Sequence, residues 1–222
     1  MTFLEIVRKA RLLSGIQGTG PVSVTTATGI EADLVQFAKD GYVDIQNLRE
    51  EWPFRESSQS FVTQPDKSSY TLTDIFVSTS NLKKYKKDSF VINALGRNRH
   101  LRQIDDEQLE LKYLNDTSVG IPHEYSIVPR DNSVVLKKTP NDLYSVTFKY
   151  YLNPEILSTD VQVPTLPVSF HDLIAYKAVE KMAVHLSNPE IYRSYATEAS
   201  RMTGELMRNQ LKPKRMCRRS LT

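Results

Sequence analysis

Residues 123–153 read HEYSIVPRDNSVVLKKTPNDLYSVTFKYYLN. Three runs inside this stretch, HEYSIVP, NSVVLKK and YSVTFKYYLN, are rich in Val, Ile, Thr, Tyr and Phe and alternate with a period of two, the pattern of half-buried strands. PRDN separates the first from the second and TPND the second from the third, and Pro, Asp and Asn each favour turns. The spacing predicts an antiparallel meander of these three strands. Upstream, SYTLTDIFV (69–77) and KKDSFVINA (86–94) carry the same composition and are predicted as strands too. Between them and the meander, IDDEQLELKYLN (104–115) breaks the alternation; Asp105 or Asp106 there is suited to capping a short helix.

Outside this middle region the period changes to that of a helix. Phe3, Ile6, Val7, Ala10 and Leu13 recur at helical spacing, with Thr2 as N-cap and Gly15 as stop. After a loop rich in Gly, Thr and Ser, a second helix is predicted over about 31–50, with Ile30, Leu34, Phe37, Gly41, Ile45 and Leu48 on one face. Pro53 ends it, and Trp52 is read as an anchor for the following segment. Near the other end, Ser169 opens a helix striped by Phe170, Leu173, Ile174, Ala178, Met182 and Leu186. Asn188-Pro189 breaks it, and Tyr192, Tyr195, Ala199, Met202 and Leu206 stripe a last helix that ends at Pro213. So short a link predicts an antiparallel helical hairpin. The fold class is therefore α+β: terminal helices form a helical bundle, and the middle is a β-rich antiparallel insertion. The expected divisions are residues 1–56 and 165–211 for the helical core, 57–164 for the insertion, and 212–222 for a basic C-terminal tail.

Charge is unevenly distributed. The 222 residues carry a net +3, while KPKRMCRRSLT at 212–222 alone carries +5, which leaves the preceding chain near −2. A protein built to wrap DNA spreads positive charge over its folded surface, so the near-neutral body points elsewhere. A second basic stretch lies at 83–102, where Lys83, Lys84, Lys86, Lys87, Arg97, Arg99 and Arg102 against Asp88 give +6. With Tyr85 among the lysines it is able to contact a phosphate backbone. The weightier reading is a solvated loop and strand edge, where lysine also discourages edge-to-edge pairing. The start of the chain, interrupted by Glu5, Arg8, Lys9 and Arg11, is neither signal peptide nor membrane span, so synthesis in the cytoplasm and no membrane partner are expected.

Catalytic chemistry is sparse. Asp105, Asp106, Glu107 and Glu110 are the best acidic candidates for a metal or acid–base site, as in a metal nuclease, but consecutive carboxylates fan around one short helix whereas metal sites need convergence from separate elements. A solvated helix start explains them better. His100, His123, His171 and His185 form no HExxH motif, and His171 reads as a packing or capping residue. The single Cys217 sits in the tail, without the rigid cleft and base a nucleophile needs. GIQGTGP (15–21) fits neither phosphate-loop nor dinucleotide fingerprint, and no GxSxG elbow occurs. No catalytic, cofactor-binding or metal residue is assigned, and no cofactor is expected.

The order of parts carries a resemblance. FLEIVRKARLLSGI, a helix ending in LREEWPF, the 123–157 region with its Y-x-N-P-x-x-L close, then LP-x-x-FHDLIAYKA and a last helix with a basic tail resemble the head-to-tail adaptor (connector) proteins of tailed bacteriophages over nearly the whole chain. The resemblance implies a structural virion protein at the head–tail junction, assembled in the host cytoplasm. It implies a homo-oligomeric, dodecameric ring docked under the portal protein, with a tail protein (nozzle, tail tube or head-closure component) below. Double-stranded DNA would pass through the channel without sequence-specific binding. It also gives the tail a role as a portal-binding strap: Lys212, Lys214, Arg215, Arg218 and Arg219 pair with acidic groups and Leu221 supplies an apolar plug. The alternative is a nucleic-acid-binding protein using the tail and Lys83–Lys87.

Overall fold

A reciprocal cap starts the first helix. The Glu5 amide donates to the Thr2 hydroxyl, and the Thr2 amide donates to the Glu5 carboxylate at 2.9 Å. This computed structural model describes residues 1–76, 81–113 and 118–211, without the side chain of Glu110. Its contacts divide the chain into two compact units, Met1–Arg55 with the chain from Pro154 onward, and Glu56–Asn153.

The helical unit contains α1 (Phe3–Leu13), α2 (Ile30–Asn47), α5 (His171–His185) and α6 (Pro189–Gln210). α5 is the hub, in contact with each of the other three. Phe3, Ile6, Val7 and Ala10 of α1, Leu34, Ala38, Tyr42 and Ile45 of α2, and Leu173, Ile174, Ala178 and Met182 of α5 form one aliphatic core with Trp52. Gly41 marks where α2 and α5 run closest: a Cβ there would lie 2.9 Å from Lys177 Cβ. α2 ends at Asn47, short of the expected Glu50, and Ile30 and Leu48 of its expected stripe stay exposed. Trp52 is fully buried and donates to the Gln46 carbonyl at 3.1 Å, an anchor as expected. α5 is preceded by a short 3-10 turn (Val168–Phe170), so the helix begins two residues after Ser169. Asn188 caps α6 through the Ile191 amide, with Pro189 in its first turn. α6 buries Ala199, Met202 and Leu206, whereas Tyr192 and Leu186 are exposed.

Residues 154–164, expected in the β-rich insertion, belong to this helical unit. The amides of Phe3 and Leu4 donate to the carbonyls of Gln162 and Asp160. Gln46 and Glu155 exchange side-chain and main-chain hydrogen bonds at 2.9 Å, and buried Tyr42 donates to the Glu155 carboxylate at 2.8 Å. The short V-x-V alternation at 161–163 thus belongs to a strap over the helices, with Val161 and Val163 exposed, not to a strand.

Among its described residues the β unit contains nine strands, β1 (Glu56–Val62), β2 (Ser69–Tyr70), β3 (Leu82–Tyr85), β4 (Val91–Ala94), β5 (Arg97–His100), β6 (Arg102–Gln103), β7 (Glu124–Ile127), β8 (Val134–Lys137) and β9 (Ser145–Leu152). They form two sheets, β1-β9-β4-β5 with β3 also on β9, and β2-β8-β7-β6. An aromatic cluster joins them: Phe90 stacks on Phe148 of the first sheet at 4.9 Å and tilts against Tyr125 of the second at 4.2 Å. The expected meander is half correct. β7 and β8 pair antiparallel across PRDN, but β9 leaves for the other sheet. Buried Thr63 redirects it: its hydroxyl donates to the Asp142 carbonyl and accepts from the Tyr144 amide at 2.8 Å, delivering the chain to β1. SYTLTDIFV is not one strand either. After β2, Asp74 accepts from the amide and hydroxyl of Thr71, both at 2.8 Å, and starts the short helix α3 (Leu72–Ile75). The middle is a predominantly antiparallel β unit in which β6 pairs parallel with β7 and an isolated bridge joins Val119 and Thr139 in parallel, and α3 and α4 (Asp106–Lys112) are set into it.

Candidate functional site

The acidic candidates do not converge. Asp105 occupies the cap position of α4 without a side-chain capping bond, Asp106 accepts from the Ser126 hydroxyl at 3.2 Å, and Glu107 points to solvent. The side chain of Glu110 lies outside the described residues. Among the described residues no group of three or more His, Cys, Asp or Glu side chains is placed to hold a metal ion. The histidines are equally dispersed. His100 and His123 are exposed in the β unit and His185 is exposed on α5, its ring 5.7 Å from Phe37. His171 is fully buried: Nε2 donates to the Leu166 carbonyl at 2.8 Å, which leaves Nδ1 to accept from the Met1 amine at 3.0 Å. It holds two chain segments against α5, the packing role read from the sequence.

The sequence missed a buried carboxylate. Glu124 on β7, 4% exposed, takes both Lys112 hydrogen bonds at 2.9 Å and one from the Tyr113 hydroxyl. Burial alone would raise its pKa, yet these partners hold it below the ordinary carboxylate value. It is a satisfied charge locking α4 to β7. Its only sequence signal was Glu124 at a strand position, where an outward side chain is the default.

The basic cluster at 83–102 separates into two groups. Lys86 is committed to Glu56, which Lys149 also binds at 2.8 Å. Lys87, Arg97, Arg99 and Arg102 are exposed, and among the described residues no ion pair engages them. The expected strap residues Lys212, Lys214, Arg215, Arg218, Arg219 and Leu221, with Cys217, lie outside the described residues. What is described is the element they follow, the 22-residue α6, which runs to Gln210.

Among the described residues the candidate acidic and histidine side chains do not converge on one site. The sequence matches the SU10 adaptor protein family over residues 1–219. The chain belongs to the SU10 adaptor protein family. It is thus a structural adaptor protein of bacteriophages and a virion component, and the family is not a class of enzymes. No curated protein matches the adaptor. Among the described residues of the adaptor no helix is long and apolar enough to cross a membrane.

Proposed function

We propose that this adaptor is the subunit of a ring, dodecameric in the mature particle, that docks under the portal protein and joins the capsid vertex to a tail protein, the genome passing through its channel. The family match carries this reading, since it runs from residue 1 through Arg219 and so takes in every cation of the tail. Lys212, Lys214, Arg215, Arg218 and Arg219 are the portal strap, pairing with acidic groups, and Leu221 is its apolar end. Repetition around a ring multiplies modest contacts. Subunit contacts on the helical unit are supported by exposed Val184, Leu186 and Tyr192 at the α5–α6 turn, apolar surface that a neighbouring copy would cover.

Deleting residues 212–222 tests the strap. Native mass measurement of adaptor mixed with portal rings is expected to show the full chain bound and the deleted chain free, with an unchanged circular dichroism spectrum. Retention of portal binding by the deleted chain would overturn the assignment. Loss of salt-dependent DNA affinity with portal binding intact would replace it by the nucleic-acid-binding reading.

A further inference from the structure

The β4–β5 hairpin carries a cationic edge that the strap does not explain. Leu95 and Gly96 both have positive φ (52° and 71°), the backbone of a two-residue hairpin turn. β5 is the terminal strand of its sheet, and every residue of Arg97–His100 is exposed. Register pairs Arg97 with Ala94 and Arg99 with Ile92, and directly opposed residues share a face. Ala94 and Ile92 are buried, so both arginines stand on the core face at its margin. Both residues are exposed there. The chain then tucks Leu101 inward and brings out Arg102 beside Lys87 and Lys112 in an open cavity of about 360 Å³, completed by Gln103, Asp105 and Gln108. Lys112 is already held by Glu124, which leaves Lys87 and Arg102 as cations there in no ion pair among the described residues, with the exposed carboxylate of Asp105 in the same lining.

We infer that Arg97 and Arg99 on β5, together with Arg102 on β6 and Lys87, form a sequence-independent contact surface for the phosphate backbone of duplex DNA. Charged side chains on the core face of an edge strand oppose the addition of another strand, so the edge is unsuited to pairing with a partner's β-strand. A stable protein contact also needs a broad apolar or aromatic centre, and among these residues Leu95 at the turn is the exposed apolar side chain, Ile104 in the cavity wall being only 9% exposed. Arginine, lysine and side-chain amides without a groove-reading element are what phosphate contact requires. The choice of DNA as the polyanion rests on the adaptor-ring reading above, in which the genome runs through the ring. It differs from the Lys83–Lys87 alternative in resting on the arginines of β5 and β6 and keeping only Lys87 of that stretch, because Lys86 is occupied by Glu56.

The test is fluorescence anisotropy of the full-length chain with a random-sequence 30-bp duplex across a salt series. Four phosphate contacts correspond to a log–log salt slope of roughly −3.6, and R97Q/R99Q/R102Q, which keeps polar stems, is expected to flatten it by roughly 2.7 and weaken binding about tenfold or more at low salt. Single R99Q is expected to remove roughly 0.9, which guards against a triple variant that fails to fold. R97K/R99K/R102K is expected to keep the slope, and a control set on the helical unit, R49Q/R193Q/R208Q, to leave it near wild type. An unchanged slope in R97Q/R99Q/R102Q, or an equal loss in the control set, overturns the proposal. Loss of portal or tail-protein binding by R97Q/R99Q/R102Q with DNA binding intact also overturns it, by making the edge a protein contact. If the full chain fails to bind portal while the R97Q/R99Q/R102Q effect on DNA persists, the ring reading falls and the DNA contact stands.

Discussion

The two units of this adaptor hold together by different means. The helical unit is knit by elements whose own sequence makes them helices, packed through aliphatic side chains around α5. The β unit is knit by strands of few residues, several of them with little hydrophobic content, joined over long sequence separations. β1 (ESSQSFV) pairs Glu56 with Tyr151 and Val62 with Ser145 along the whole of β9. Its core is a cluster of rings centred on Phe148, which contacts Phe61, Phe76, Tyr85, Phe90 and Tyr150. Local propensity suffices for the first unit. The second depends on closure of large loops, whose entropy is offset only when the aromatic faces meet.

That contrast is open to direct challenge. Phe148→Ala removes the ring shared by most of these contacts and is expected to cost about 3–5 kcal/mol, the largest effect of a single truncation. Chemical denaturation followed by near-ultraviolet circular dichroism, which reports the aromatic cluster, should show the midpoint fall; a loss below about 1 kcal/mol would show that the cluster does not hold the sheets. Gly41→Val probes the helical unit at its closest helix crossing. The added atoms meet Lys177 Cβ, and overpacking there is expected to cost about 1–3 kcal/mol, read as a lower melting temperature by helical ellipticity. An unchanged melt would mean that α2 and α5 part at little cost.

The smallest effect concerns charge. Hydrogen bonds from Lys149 and then Lys86 hold the Glu56 carboxyl below its ordinary value. A depressed folded pKa stabilises above the unfolded carboxylate pKa and is lost as pH falls through the folded value. Glu56→Gln is therefore expected to lower stability by up to about 1 kcal/mol at neutral pH, to converge with wild type in acid, and to matter less in high salt. A stability difference that persists at pH 2 would show that packing, not ionisation, is responsible.

Legibility followed the same division. Thr2, Trp52, Asn188 and Pro189 act over a few residues and were readable as caps, anchor and break. The stripes of α1, α5 and α6 predicted their buried faces because one helix turn repeats every 3.6 residues whatever surrounds it. β1 escaped notice since Ser57, Ser58, Gln59 and Ser60 show no apolar alternation, and β5 since Arg97 and Arg99 look like loop charges. Asp142 and Tyr144 gave no hint that Thr63, some eighty positions earlier, would turn β9 away from β8. The strap over the helices was hidden for a related reason: Val161 and Val163 mimic a strand, and the amides of Phe3 and Leu4 that claim its carbonyls are distant in sequence.

The contact surfaces divide likewise. The +5 of the last eleven residues and the +6 of residues 83–102 are countable without coordinates, as are the absence of a convergent catalytic motif and the family resemblance. Which cations remain uncommitted is not countable, because an ion pair is a matter of distance. Lys86 looked as available as Lys87 until Glu56 and Lys149 were brought to it across β1, β3 and β9. The sequence by itself determined the long helices α1, α2, α5 and α6, the α+β class and the total charge, all properties of neighbouring residues or of sums. Only tertiary structure decided the partition of β7, β8 and β9 between two sheets and the exposure of Arg97 and Arg99 on the terminal strand of one sheet and of Arg102 on the terminal strand of the other, since both follow from contacts between residues far apart in the chain.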